Sequence, residues 1–454
     1  MLFLKLLSII ASLFAIYPLY KLIKKDEINI FDLIILFHSI FFCIIPIFSD
    51  YASYKSLAGF SFEQNIILRL FVYYVIFIFF LFRIDLFWTK HYKYDKSILN
   101  ITYYIKTLPQ IKTSWLFIAI LVANLIISWL WYMPQASYME TFSNFSKLQG
   151  YESSPIFLLY TAIFTTCFSF TQILLLKEKL PLKKKNTLLI TLIGFALLLL
   201  FMPRRIMLFY FILSIIITYS AKRSFFTRKK IVWITTLLII IIKIYFPFYN
   251  VMRNTKIQID SNNFTTSLIQ IIEDTSNHFE SKKGYAAESS KSRSLYLYYT
   301  LYRIIKYDTS PSEGKLLVAA IDHAIPKFIN PNKGEGSAKI LEEKTQYKKD
   351  QADSILLLAY GDFGLLVGAF YSILLFSAII GMFVYMNKLN SIFFNNRSTI
   401  DILLIVYLIS FSWNIEVSLE NNFATFVHLG IMSVILIILN TFKIIGYNIQ
   451  SLKR

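Results

Sequence analysis

Apolar runs of about twenty residues recur along almost the whole of this chain, and they decide its fold class before any motif is considered. About twenty residues is the length a helix needs to cross ~30 Å of hydrocarbon. A membrane β-barrel would instead alternate apolar and polar residues, which these runs do not. The composition agrees: 56% hydrophobic, 17% aromatic, with a mean hydropathy of +0.56. Soluble domains rarely exceed about half apolar.

The runs predict an all-α, polytopic integral membrane protein with eleven spans, near 2–22, 28–48, 64–86, 114–133, 155–176, 187–203, 205–221, 231–249, 354–386, 400–419 and 423–443. Residues 1–249 hold the first eight spans, 250–353 form one large loop, and 354–454 hold the last three spans and a basic tail. The ninth span is long, with a kink or break expected near "YGDFG". The first run lacks a small-residue cleavage site and reads as a retained span rather than a signal peptide. Cys43 and Cys167 both fall inside apolar runs and read as buried thiols, with no disulfide framework or cysteine metal site.

A net charge of +19 would point to nucleic acid in a soluble protein. Here the lysines sit in the loops, as the positive-inside rule demands. "KLIKKDE", the 88–113 segment, "KEKLPLKKK", "KRSFFTRKK", "NKLNSIFFNNR" and the tail "SLKR" are basic. They alternate with the poorly basic 49–63, 134–154 and the turn at Glu420. All basic loops share one side only with the N-terminus outside and the C-terminus in the cytoplasm. Trp129, Trp131 and Tyr132 read as an outer aromatic belt.

That orientation places residues 250–353 outside. "FTTSLIQIIEDTSNHF" has its apolar residues at helical spacing, "SRSLYLYYTLYRIIKY" is a second helix candidate, and "GKLLVAAIDHAIPKFINPNKG" predicts a short helix ending before Pro326. A loop this long with its own helices is usually functional. It also places Arg204 and Arg205, in "FMPRRIMLFYFIL", at the turn of a tight outer hairpin, against the bias that orients the other charges.

No Walker A sequence, dinucleotide fingerprint, G-x-S-x-G, H-E-x-x-H or C-x-x-C occurs. The chemistry is therefore sought among arginines, lysines and a few carboxylates. Arg204 and Arg205 have two readings: anchors snorkelling to head groups, or a clamp for a phosphate or diphosphate, whose oxygens match the guanidinium fork. Arg69, Lys243, Arg253, Arg293 and Arg303 are further outer-side cations, the last two equally readable as a solvated face. "DHAIPKFINPNKGEG" offers Asp322, His323, Lys327 and Lys333; His323 is a general-base candidate or an ordinary surface histidine. Asp353 stands at the outer mouth of the ninth span, and Asp362 lies within it, as a base candidate or as the structural partner of an arginine. Gly364 and Gly368 read as a close-packing pair, and Glu420 is a reserve base.

With these residues in view, the chain resembles the Wzy-type polymerases of O-antigen, capsule and enterobacterial common antigen repeat units. The likeness rests on the many spans with one large outer loop, on "PRRIMLFYFIL" where that family often has Gly-Arg or Ser-Arg, on "AIPKFINPNKG", and on "YGDFGLLVGAF". It is strongest over about 185–375 and is one of pattern. Pro203 stands where the family has its Gly or Ser, so either Arg204 or Arg205 takes the arginine's role. The resemblance implies a fold related to the GT-C membrane glycosyltransferases, in the bacterial inner membrane. It implies transfer of a growing glycan from undecaprenyl diphosphate onto a sugar hydroxyl of the next lipid-linked repeat, at the outer face. Donor and acceptor repeats, the bilayer, a chain-length regulator and a flippase are the implied partners, without nucleic acid, cofactor or metal.

Two other functions use the same features. A glycan ligase would move the finished chain to another acceptor. A flippase or transporter of lipid-linked sugars would be expected to show paired repeats and midplane charges; no internal repeat is visible and the charges lie at span ends.

Overall fold

The structure is a computed structural model of the 454-residue chain. The described residues are 12–24, 26–39, 64–91, 98–108, 111–132, 155–177, 179–200, 204–227, 229–234, 301–307, 310–325, 334–345, 354–394, 399–413, 419–442 and 445–447, with a few isolated positions between. They are mostly helical. A 3-10 turn at Leu13–Ala15 leads into α1 (Ile16–Lys24), then α2 (Ile30–Ser39), α3 (Gln64–His91) and α4 (Ile101–Thr107). Strand β1 (Ile111–Thr113) precedes α5 (Trp115–Ile127), which continues as a π-helical turn to Tyr132. Next come α6 (Pro155–Lys177), α7 (Leu182–Leu199) and α8 (Arg204–Ala221). Beyond them lie α9 (Lys315–Ala324), α10 (Ser337–Thr345), α11 (Ile355–Phe394), α12 (Thr399–Trp413), α13 (Leu419–Thr441) and β2 (Ile445–Tyr447).

The expected span at 231–249 falls mostly outside the described residues, as do Cys43, Lys243, Lys333 and the helix expected around 264–279. Several boundaries move: α3 runs on to His91, α7 begins at Leu182 and takes Lys183–Lys185 into its first turn, α11 runs on to Phe394 and α13 begins at Leu419. Two helices, Leu68–Trp88 and Ile355–Asn390, are long and apolar enough to cross a membrane; only 39% of the apolar window of each is buried. Outward residues such as Phe87, Leu366, Val367 and Tyr385 are more than half exposed. An apolar surface of that extent suits a lipid surround rather than water.

The chain packs as two compact units. Unit 1 is Met1–Tyr104, Ser290–Asn395 and Tyr407–Leu429. Its centre is α3 against α11. The Tyr73 hydroxyl donates to the Leu356 carbonyl at 2.7 Å, and its ring meets Tyr360 edge-on. Phe77, His38 and Phe376 stack one on another, with Phe411 against Phe376. Further along α3 the packing becomes polar. Asn29 caps α2 through its Oδ1, which accepts from the Asp32 amide at 2.6 Å, while Asp32 accepts from the Asn29 amide at 3.0 Å. This is the reciprocal arrangement that satisfies a helix's first free amides. Lys21 pairs with Asp32 at 3.0 Å, and Asn29 donates to Asp85 at 3.2 Å. Asn100 caps α4 by accepting from the Tyr103 amide at 3.0 Å, and the two caps join where the Ile30 amide donates to the Leu99 carbonyl. The Asn387 side chain of α11 donates to the Tyr104 hydroxyl at 2.6 Å. The segments flanking these caps and the C-terminal part of α11 therefore share one end of the unit, and residues 356–364 lie toward the other.

Unit 2 is Ile105–Ser289, Asn396–Val406 and Gly430–Arg454. Helix α6 is its axis. Phe164 and Phe168 meet Phe195 of α7 and Tyr210 of α8 with centroids 5.1 to 6.2 Å apart. Edge-on rings of this kind add about 0.5–1.5 kcal/mol per pair beyond the area they bury. Gln172 donates to the Ser214 carbonyl at 3.0 Å and to Thr218 at 3.2 Å. Lys177 donates to the carbonyls of Lys106 and Leu108, at 2.7 and 3.2 Å, and Lys184 donates to that of Thr113 at 2.7 Å. Strand β1 pairs antiparallel with β2, Ile111 opposite Tyr447. The start of α5, the end of α6, the start of α7 and the end of α8 thus gather at one end with the chain's last strand. Arg204, which opens α8, stands at the opposite end of this unit.

Candidate functional site

Helix α9 begins without a cap of its own. Its N-cap is Gly314, which has no side-chain oxygen, and the turn before it takes two left-handed residues, Glu313 at φ 52° and Gly314 at φ 90°. The cap comes from 46 residues away. Asp362, fully buried, accepts from the Leu316 amide at 2.9 Å with one carboxylate oxygen and from the Leu317 amide at 3.1 Å with the other. The backbone joins in: Ser312 donates to the Gly361 carbonyl at 3.0 Å and Glu313 to that of Asp362 at 2.9 Å. A negative charge at the positive end of a helix, held by charge-assisted bonds, makes a strong dock. Gly361 permits the approach, since a Cβ there would stand 2.7 Å from the Leu316 side chain.

Beyond this dock α11 breaks, as "YGDFG" led one to expect. Gly364 has φ 73° and ψ −159°, a conformation that is essentially glycine's alone. The chain folds back so sharply that a Cβ on Gly368 would stand 2.6 Å from the Ala359 carbonyl oxygen. Gly368 is thus a close-packing glycine against its own preceding segment, and Phe363 stacks on Tyr371 across the break at 4.6 Å. Gly364→Ala should cost about 1–3 kcal/mol in strain. Thermal unfolding of the detergent-solubilised protein should show a lowered midpoint for it. Gly381→Ala, inside the same helix with nothing within 4 Å, should leave the midpoint unchanged or raise it.

The far end of α9 carries the polar residues of the loop. Asp322 is half-buried; it accepts from the Gly334 amide at 3.0 Å and from the Asn330 side chain. It thereby ties Asn330 and Gly334 to the end of α9. His323, next in sequence, is exposed on the helix's last turn. A cleft of about 360 Å³ runs along the helix, lined by Glu313, Lys315, Val318, Asp322, Gly334 and Glu335 among others. Its rim is mostly acidic, with Lys315 within it and Lys339 paired to Glu335. Most of the surface inside the cleft is nevertheless apolar, and Asp322 and Glu335 are already engaged by Asn330, Gly334 and Lys339.

In unit 1, Asp322 and His323 thus lie at the end of α9 while Asp362, on α11, holds its start: Asp362 docks the helix, Asp322 bonds Asn330 and Gly334, and His323 is exposed. Arg69 is exposed on α3, one turn before Tyr73. Arg204 and Arg205 form the first turn of α8, in unit 2. Glu420 lies in the first turn of α13. Arg253, Arg293, Lys327 and Asp353 lie outside the described residues. Arg303 is a residue whose setting the sequence left open: it is 8% exposed in the helical stretch 301–307, its guanidinium 5.1 Å from the ring of Tyr307. Its neighbours Leu301 and Tyr302 are fully buried, and the aromatic and aliphatic run "LYLYYTLYRII" is the signal in the sequence for that burial.

Among the described residues no group of three or more histidine, cysteine, aspartate or glutamate side chains is placed to hold a metal ion. No protein family, curated protein or solved structure matches the chain.

Proposed function

We propose that this chain is a multi-pass membrane glycosyltransferase of the Wzy polymerase kind, with its N-terminus outside and its C-terminus in the cytoplasm. It extends a lipid-linked glycan at the outer face. The observation that carries this reading is the position of Arg204 and Arg205 at the first turn of α8, at the end of unit 2 away from its lysine-rich connections. Two guanidinium groups at a membrane helix's outer end, next to that helix's positive dipole end, suit a lipid-borne diphosphate.

In the reaction, the bond between the donor sugar's anomeric carbon and the diphosphate oxygen breaks. The electron pair leaves with the undecaprenyl diphosphate, whose growing charge the arginines neutralise. The acceptor sugar's hydroxyl oxygen forms the new glycosidic bond, and its proton passes to a base. His323 is the base we favour, because of the two base candidates whose side chains are described, His323 and Asp362, it is the exposed one. The sugar–diphosphate bond is already activated, so no nucleotide is needed.

The test is reconstitution in proteoliposomes with a lipid-linked repeat unit. The expected products are a ladder of polymers and free undecaprenyl diphosphate. His323→Ala should slow the ladder by about 10²-fold or more, the usual contribution of a general base. Transfer to a lipid A core without lengthening would indicate a ligase. Transbilayer movement of intact substrate would indicate a flippase, and either outcome would displace the polymerase reading.

A further inference from the structure

We infer that the lysine-rich end of unit 2 is a docking surface for the head groups of an anionic phospholipid leaflet. Three connections, 105–115, 177–187 and 221–234, contribute to it, and Glu178 is their one acid in the sequence. The carbonyl bonds of Lys177 and Lys184 hold the first two together, and Gln172, reaching Ser214 and Thr218, fixes the third at the same level. Lys183, Lys185, Lys222, Lys229 and Lys230 are all exposed there.

The cations do not stand on a polar surface. Lys184 lies 5.6 Å from the ring centroid of Trp115, which is 54% exposed, and Lys230 lies 4.1 Å from that of Phe225. Leu182 and Trp233 are each 73% exposed among these lysines. Ammonium groups beside outward indole and aliphatic groups call for a partner that is negative at its surface and apolar just beneath. A nucleic acid supplies the first property without the second; an anionic bilayer leaflet supplies both. Lysine, a point charge on a flexible stem, suits many shallow phosphate contacts better than one fixed ligand. This surface is independent of the chemistry proposed above.

The test uses the full-length protein in nanodiscs containing brominated lipid, which quenches nearby tryptophan. At equal mole fraction, brominated phosphatidylglycerol should quench about twofold more than brominated phosphatidylcholine. The difference should vanish near ~1 M salt, where the screening length falls to ~3 Å. Equal quenching by the two lipids at low salt would overturn the inference. Replacing Lys183, Lys185, Lys229 and Lys230 together by glutamine should weaken the apparent affinity for the anionic lipid by about tenfold or more. An unchanged preference in that variant would equally overturn it. The wild-type measurement does not depend on the variant's folding.

Discussion

Double replacement of Arg204 and Arg205 by alanine is expected to abolish polymer, with the protein still inserted at its normal level. Removing one preorganised donor to a developing charge typically costs about 10²–10³ in rate, so the pair should cost about 10³ or more. Single replacements should differ, because consecutive positions of a helix stand about 100° apart around its axis. We expect Arg205→Ala to be the more damaging. Lysine at both positions should restore only a small part of the activity, since an ammonium lacks the planar fork. The measurement is the glycan length profile of cells carrying each variant, with membrane-fraction immunoblots for insertion. A normal profile from the double alanine variant would remove the clamp. Exterior labelling of a cysteine placed at 203 provides the complementary check on orientation.

The second large effect belongs to Asp362. Asp362→Asn turns an amide group toward two helix amides that need acceptors, and α9 should lose about 2–3 kcal/mol of its hold, the range for hydrogen bonds to a charged partner. Limited proteolysis should then cut within 308–336 far faster than in the wild type, and polymer should fall with it. Asp362→Glu should fail to rescue, because the extra methylene has no room in a fully buried site. The experiment separates docking from proton transfer. Were Asp362 the base, the asparagine variant would lose turnover while keeping its protease resistance.

The sequence carried those features that are local. The helical runs, the end of α9 before Pro326 and the break at "YGDFG" were legible because each depends on a few neighbouring residues. The partner of Asp362 was not. A carboxylate inside an apolar run invites an arginine as its mate, and nothing in the chain signals that its acceptors would serve the bare amides of a helix that starts at a glycine. The segment 88–113 misled for a related reason: its lysines advertise a loop, while Ile98, Leu99, Ile101 and Ile105 are fully or almost fully buried. Four apolar residues are too few to announce a core by pattern, yet enough to seat α4 once Asn29 and Asn100 have paired. The ribbon of β1 and β2 joins segments more than 300 positions apart, a pairing that no local signal in a lysine-rich loop and tail could reveal.

The fold-back at Gly364 also changes how the ninth hydrophobic stretch must be measured. Its first nine residues, Ile355 to Phe363, form a bracket, so under the proposed membrane reading the crossing helix would begin only at Leu365. From there to Phe394 the rod is about 45 Å long at ~1.5 Å per residue, against ~30 Å of hydrocarbon. In a bilayer the excess would have to be taken up by tilt or by a stub standing clear of it. Asn387, Lys388 and Asn390 fall in that last stretch of the rod, and the bond from Asn387 to Tyr104 ties it to the short helix beside it.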